Sequence, residues 1–356
     1  MASVVDVARL AGVSAATASR VLSGSSHAVS QATRERVLAA AESLDFVPNA
    51  LARGLLKSRV PIVGVIVHDV TDPYFSEIVR GVEDAAEGSG FLVITCSSDR
   101  VSEREESYVR LLRGMRAAVV IFAGSGIRDS SLETTVARHL DAMQRYGAAV
   151  VNLSPSSRGA PFVGFDNVEG MAAIVQSLAR MGHRRIGYLS GPDRLYVCAE
   201  RERGYRQALA AEGLEVRSSL IVSTSFDGPG GADGVERLLA EVPDVTAVVC
   251  ANDLQALGAL ERLAQLGISV PSELSVAGFD DIPAAARTSP PLSTVKVPLR
   301  SLGAAGFRLA EKILDGRRPH RQLMPFEVVL RASTASPRPG MLRTGAIPEP
   351  ALVAQA

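Results

Sequence analysis

Val5-Asp6-Val7-Ala8-Arg9-Leu10-Ala11-Gly12-Val13-Ser14, continued by Ala15-Ala16-Thr17-Ala18-Ser19-Arg20-Val21-Leu22, decides how the first part of this chain folds. Ser3 stands three residues before Asp6, the spacing of a capping box, in which hydroxyl and carboxylate satisfy the free amides of a first helical turn. Val4, Val7, Ala8 and Ala11 then recur at the i, i+3, i+4 and i+7 positions of one helix face. Gly12 ends that helix, and Ser14 caps a second one running from Ala15 to Leu22. A polar Ser23-Gly24-Ser25-Ser26 loop leads to a third helix, capped by Ser30 and reaching about Leu44, with Val37, Leu38, Ala41 and Leu44 expected to face inward.

A short helix, a glycine turn and a second helix make a helix-turn-helix, whose second helix enters a DNA major groove with its N-terminal residues on base edges. Arg20 is the long donor on that helix and can fork onto guanine O6 and N7. Ser14, Ala15 and Ala16 open the helix, and the alanines offer methyl groups to a thymine methyl or to close backbone approach. The hydroxyls of Thr17, Ser19, Ser30 and Thr33 suit phosphates, which position without specifying. The plainer alternative is a structural three-helix bundle in which Arg20 reads nothing.

From Pro61 the texture changes. Ile62-Val63-Gly64-Val65-Ile66-Val67 is a continuous apolar run, as in a strand buried on both faces of a parallel sheet. Helix and strand patterns alternate after it, with strands at 91–95, 118–122 and 149–153. A second series opens at Pro161-Phe162-Val163-Gly164-Phe165 and continues at 185–189, 247–250 and 274–279. Two doubly wound α/β halves follow from that pattern, and such sheets bind ligands at the carboxyl ends of their strands. Between the helical start and the first strand, residues 48–60 carry Leu51, Leu55 and Leu56 beside Arg53, Lys57 and Arg59. As a helix that segment is marginal by itself, because short helices fold weakly without packing partners.

Composition sets the outer limits. The 356 residues hold 38 Lys+Arg against 38 Asp+Glu, with 47% hydrophobic and 21% charged, which excludes disorder, a collagen and a protein held to nucleic acid or membrane by bulk positive charge. Cys96, Cys198 and Cys250 stand apart without CxxC spacing, so a reduced chain with structural thiols is expected, and no metal site. Residues 1–13 lack the basic and uninterrupted apolar stretches of a signal peptide, and no window approaches 18 uncharged apolar residues. A soluble cytoplasmic protein is the expectation. There is no GxSxG, HExxH or P-loop spacing, and Gly124-Ser125-Gly126 is too short for a phosphate cradle, so neither enzyme nor cofactor is expected.

The opening stretch, together with Val29-Ser30-x-x-Thr33-Arg34-Glu35-Arg36-Val37 and Phe46-Val47-Pro48-Asn49-Ala50-Leu51-Ala52-Arg53, closely resembles the headpiece of LacI/GalR-type transcriptional regulators. The likeness runs on in order through Asp72-Pro73-Tyr74-Phe75, Gly182-His183-Arg184-Arg185-Ile186, Arg201-x-x-Gly204-Tyr205, Ala251-Asn252-Asp253, Gly278-Phe279-Asp280-Asp281 and Pro291-Leu292-Ser293-Thr294-Val295, covering about residues 3–334. It implies an all-α helix-turn-helix headpiece (1–47), a hinge helix (48–60) and a periplasmic-binding-protein-like α/β core of two subdomains. The first would take 61–160 plus 292–322 and the second 161–291 plus 323–334, leaving 335–356 as a disordered tail.

Function and partners follow from the same resemblance. It implies a homodimeric repressor on a near-palindromic double-stranded operator, with no membrane partner, controlled by a small-molecule effector in the cleft between subdomains. The hinge would fold on DNA, with Leu55 wedged into the minor groove and Asn49 and Ala52 along it; an apolar wedge spends unstacking energy to gain contact surface. Leu55 as a packing residue of a linker is the alternative. Effector contacts would be Asp72, Tyr74, Phe75, Asn152, Arg201, Phe226, Asn252 and Asp280, an aromatic, carboxylate, amide and guanidinium set suited to a sugar or polyol. Taken singly, Phe226 reads equally as core and Asp280 as a helix cap.

Several positions depart from the family pattern. Ala18 replaces a usual valine, Ser23 a common asparagine, and Val297 a frequent glutamine; the loop before Val29 is longer by one and carries His27. No leucine heptad follows Ser336, so a tetramerising helix is not expected. A free solute-binding protein would share the core, but the headpiece and the absent signal stand against it.

Overall fold

A computed structural model describes residues 2–22, 29–46, 59–127, 130–154 and 160–338. Helix α1 spans Val4–Ala11, with the full capping box: Asp6 N donates to Ser3 Oγ (3.3 Å) and Ser3 N to Asp6 Oδ2 (3.0 Å). Gly12 closes it at φ +64°, a left-handed conformation that glycine adopts without a Cβ clash. Helix α2 is Ala15–Leu22, where Thr17 N donates to Ser14 Oγ at 3.1 Å, and α3 is Gln31–Ser43, where Thr33 N donates to Ser30 Oγ at 3.3 Å. Val7, Ala8, Ala11, Ala18, Val21, Val37, Ala40 and Ala41 form the small core between them. One expected core residue is outside: Leu38 is 50% exposed, and Ala40 is buried in its place. With Val37 inward, a residue one step on lies about a quarter-turn away from the core. Ser23, His27, Asn49, Ala52 and Leu55 lie outside the described residues.

The rest forms two parallel sheets. The first is ordered β2-β1-β3-β4, with β1 Val60–Val67, β2 Leu92–Ser97, β3 Ala117–Phe122 and β4 Ala149–Asn152. The second contains β6 Ile186–Ser190, β7 Ile221–Ser223, β8 Ala247–Cys250 and β9 Ser275–Ala277, ordered β7-β6-β8-β9. Nearly every residue of β1 and all of β3, β4, β6 and β8 are buried, as strands covered by helices on both faces must be.

The chain crosses between the sheets at points that the apolar runs alone place differently. β5 (Val163–Gly164), expected to open the second half, instead lies beside the first sheet, since Phe162 bridges Asn152, and it pairs with β11 (Gln322–Leu323) in a small sheet of its own. β10 (Thr294–Lys296), expected in the first subdomain, sits beside the second sheet through the bridges Ala277 to Ser293 and Asp280 to Lys296, and it pairs with β12 (Glu327–Val329). An apolar run states that a strand will be buried, not which sheet edge receives it. Residue 335, placed in the expected tail, is held by the core: Ala335 O accepts from His183 Nε2 (2.8 Å) and from Ser275 Oγ (3.1 Å), while residues 339–356 lie outside the described residues.

Glycines set how closely two helices approach behind the second sheet. A Cβ on Gly258 would fall 1.8 Å from Gly228 O, and one on Gly231 would fall 1.9 Å from Gln255 O. These belong to the helices Gly228–Glu241 and Asp253–Gln265, whose starts carry Phe226 and Asn252 together. Backbone cannot yield as a side chain can. Gly258→Ala is therefore expected to destabilise the fold by about 1–3 kcal/mol, despite alanine's better helix propensity, as read from urea unfolding midpoints. Among the described residues, no helix is long and apolar enough to cross a membrane, and no cluster of ligating side chains could hold a metal.

Candidate functional site

Each strand of the first sheet ends in a segment that reaches the same cavity. Asp72, Tyr74 and Phe75 follow β1, Arg100 follows β2, Ser125 follows β3 and Ser154 follows β4. The second sheet supplies Arg201 after β6, Phe226 after β7, Asn252 after β8 and Asp280 after β9. Seven of the eight expected effector residues thus line one cavity between the carboxyl ends of both sheets, where doubly wound folds bind ligands. The cavity is narrow at about 40 Å³, room for a few waters, so a sugar needs the two halves to part.

Asn152 is the exception. It is buried at the end of β4 and lines a separate, more open recess of about 1040 Å³ with Phe162, Glu200 and Arg321. Its backbone N–H donates to Pro161 O at 2.8 Å, which ties it to the crossover. The larger recess is not where the expected residues converge, so the small cavity is the candidate site.

Arg201 organises the floor of the cleft. It is 3% exposed; its Nε donates to Asn167 Oδ1 at 3.0 Å, one terminal nitrogen to Ala251 O, and the other to Asp280 Oδ1 at 3.0 Å. Its guanidinium sits over Phe279, with the carbon 3.8 Å from the ring centroid. Asp280 caps no helix and faces Arg201 instead, from a backbone in left-handed geometry (φ +115°), followed by Asp281 at +56°. Such strain persists where surroundings over-determine it. Here Asp253 does so, accepting from Ile282 N at 2.9 Å and from Thr294 Oγ1 at 2.7 Å. Burial pushes Asp280 up to about 7, against the opposing pull of Arg201.

The remaining groups have divided duties. Asp72 caps the helix Pro73–Ala86 through Tyr74 N (2.9 Å), and burial raises its pKa. Asn252 caps the helix Asp253–Gln265 through Gln255 N (2.9 Å), while its Nδ2 donates to Phe226 O at 3.3 Å. Phe226 is half-buried on Ile127, Leu195, Val197 and Cys198, a small cluster contributed by both halves, so it serves as both wall and packing. The two halves also touch directly, through a bridge from Ile127 to Leu195 and a 3.1 Å bond from Val197 N to Ser125 Oγ.

Sequence reading missed His68, Arg100, Ser125 and Ser154, all of which line the cavity. None sits in a distinctive motif; the only available signal was position, each falling just past a strand.

A second surface belongs to the headpiece. Ala15, Ala16, Ser19 and Arg20 are exposed along one side of α2, while Ala18 and Val21 face the core, as a groove-reading helix requires. Ser14 and Thr17 hydroxyls bond one another at 2.8 Å, and Ser30 Oγ donates to Thr33 Oγ1 at 2.9 Å, so these four first of all build helix starts. A helix start also presents free N–H groups to phosphate oxygens. Residues 1–59 hold seven Lys+Arg against four Asp+Glu, so the neutral chain divides into a basic headpiece and a mildly acidic core.

Two family models match: one described as bacterial regulatory proteins, lacI family, over residues 3–49, and a periplasmic binding protein-like domain over residues 175–334. The HTH-type transcriptional repressor PurR of Vibrio campbellii is 33% identical, across 93% of this chain and 98% of its own. The HTH-type transcriptional repressor CytR of Escherichia coli is also 33% identical, across 92% and 95%. Among solved structures, the lac repressor dimer bound to operator and the anti-inducer ONPF aligns with TM-score 0.80 at 26% identity, covering 94% and 99% of the two chains. The complex of the transcriptional regulator CelR with cellobiose aligns with TM-score 0.66 at 31% identity, covering 94% and 100%.

Proposed function

The chain belongs to the lacI family of bacterial regulatory proteins, as a DNA-binding transcriptional regulator and not an enzyme, and from that premise we propose a repressor whose operator affinity is set by a sugar or polyol held between its two α/β halves. The observation that carries this reading is the convergence of Asp72, Tyr74, Phe75, Arg201, Phe226, Asn252 and Asp280 on one cavity. Carboxylate, amide and guanidinium groups suit a ligand with several hydroxyls, and aromatic rings suit the apolar face of a sugar. The cellobiose bound by the related CelR is a ligand of that kind.

On DNA, the exposed side of α2 reads the major groove, with Arg20 forking onto guanine. Asn49, Ala52 and Leu55 engage the minor groove from the hinge, and two chains meet a near-palindromic operator with matching two-fold symmetry. The effector acts because the halves part or close around it, which moves the bases of the two hinges. Coupling of this type is worth about 1–3 kcal/mol between sites.

A thermal-shift screen of the full chain against sugars and polyols tests the reading. A true effector at a hundred times its Kd adds about 2.7 kcal/mol of stability, readily visible as a rise in Tm. The same compound should alter the anisotropy titration of a labelled operator. A ligand that raises Tm but leaves operator affinity unchanged would refute the regulatory half of the proposal.

A further inference from the structure

The cleft holds two guanidiniums in opposite states. Every terminal nitrogen of Arg201, and its Nε, already donates to the protein. Arg100 makes no hydrogen bond or ion pair with any described residue, and its Nε is buried without a partner. Its guanidinium carbon stands 5.8 Å from the Phe226 ring centroid, on the cavity wall opposite Arg201's half of the molecule.

This placement is built into the fold. Asp99 and Arg100 are consecutive non-glycine residues in the left-handed region, at φ +52° and +57°. The turn is pinned to the end of β1: Ser98 N and Oγ donate to Val67 O at 3.0 and 3.1 Å, and Asp99 N donates to His68 O at 2.7 Å. Asp99 is ion-paired with Arg104, which holds the turn from its other side. An unfavourable backbone kept by that many bonds delivers one side chain into the cleft.

Arg100 is half-buried, and a cation partly withdrawn from water with no paired counter-ion gains when something brings an anion to hydrogen-bonding distance. Asp72, Asp69 and Asp227 attract Arg100 through space, yet none pairs with it: Asp72 accepts from Tyr74 N, Asp69 from Thr71 and Asp227 from Gly230 N, while Asp280 is taken by Arg201. Ser125, Ser154 and His68, from the same half as Arg100, also line the cavity.

We propose that the effector carries an oxyanion, a carboxylate or a phosphate, as well as hydroxyls, and that Arg100 is the cation that receives it. A guanidinium fork matches two oxygens of either group. The inference rests on the polyol reading of the cleft and narrows it to sugar acids or sugar phosphates.

Isothermal titration of the full chain with matched probes tests this: D-glucitol, D-gluconate and D-glucitol 6-phosphate, and the same three forms of ribitol. Within a set, an anionic member should bind roughly 10- to 100-fold tighter than its neutral parent, the range of a charge-assisted hydrogen bond. Whether carboxylate or phosphate gains more identifies which oxyanion the site is shaped for. The gap should collapse in Arg100→Gln and survive in part in Arg100→Lys. Neutral members binding as tightly as anionic ones, or a gap unchanged in Arg100→Gln, would overturn the inference while leaving the polyol reading intact. If no member binds, both fall together. The wild-type comparison stands even if a variant does not fold.

Discussion

Arg201→Ala should abolish the effector response and weaken the fold by about 3–5 kcal/mol, the range for removing one partner of a buried ion pair. The loss exceeds that of a surface arginine because the residue is almost fully enclosed and each of its three nitrogens donates a hydrogen bond. Removal strands Asp280, Asn167 Oδ1 and Ala251 O together. The effect should also depend on pH, with a definite sign. A carboxyl whose folded pKa lies above its unfolded value holds its proton more tightly when folded, so its contribution to stability falls as pH rises between the two values. Asp280 sits at about 7 with Arg201 present, and loss of the guanidinium moves it higher. Below that range both proteins keep Asp280 neutral when folded. The stability gap between wild type and variant should therefore widen as pH rises through 7. Urea unfolding at pH 6 and pH 8 measures it, and a gap that narrows with rising pH would show that Asp280 is not the group left uncompensated. Operator binding by the ligand-free variant should persist, since the headpiece has its own core.

Arg20→Ala should remove operator discrimination. A bidentate contact to guanine is worth about 1–3 kcal/mol, and a symmetric dimer makes it twice, so the loss reaches about 6 kcal/mol on a full operator. Arg20 is exposed on the helix side away from Ala18 and Val21, so the substitution spares the headpiece core. A base contact and a phosphate contact leave different traces. If Arg20 reads a base, specific binding falls towards non-specific binding while the salt dependence of the latter stays nearly constant; if it meets a phosphate, all sequences weaken alike and the salt slope drops by about one. Titrations of operator and scrambled duplex at several salt concentrations separate the two. An unchanged operator-to-scrambled ratio would end the assignment of α2 as the reading helix.

Much of the headpiece was legible because its determinants are local. Ser3, Ser14 and Ser30 cap helices that begin within one turn of them, and Gly12 supplies the left-handed residue where the first helix stops. Leu38 shows the limit. Hydrophobicity suggested burial, but the i, i+3, i+4, i+7 series through Val37, Ala40, Ala41 and Leu44 leaves it on the outer side. Alanine at position 40 contributes little to an apolar pattern and yet packs fully.

In the cleft, most residues found lie in extended motifs, Phe226 being the exception, while those missed stand in plain surroundings. Arg201 stands in R-x-x-G-Y, and Asp280 follows Gly278-Phe279; Arg100 follows Ser98-Asp99 with nothing nearby to set it apart. Asn152 was expected in the cleft and lines the outer recess instead. A strand end fixes which residue is near the site, but the twist and pairing of the strand decide on which side its side chain emerges.

Sequence by itself determined the helix starts and stops, the two series of buried parallel strands, and the basic-then-acidic division of a net-neutral chain. These depend on spacing and composition within a few residues, which any neighbour in the chain can report. Only the tertiary structure decided that 163–164 lies beside the first sheet and 294–296 beside the second, that Arg201 is spent internally, and that Arg100 is left without a paired partner at the cavity. Those outcomes depend on which distant groups compete for one sheet edge or one carboxylate, and that competition is settled only once the chain has folded back on itself.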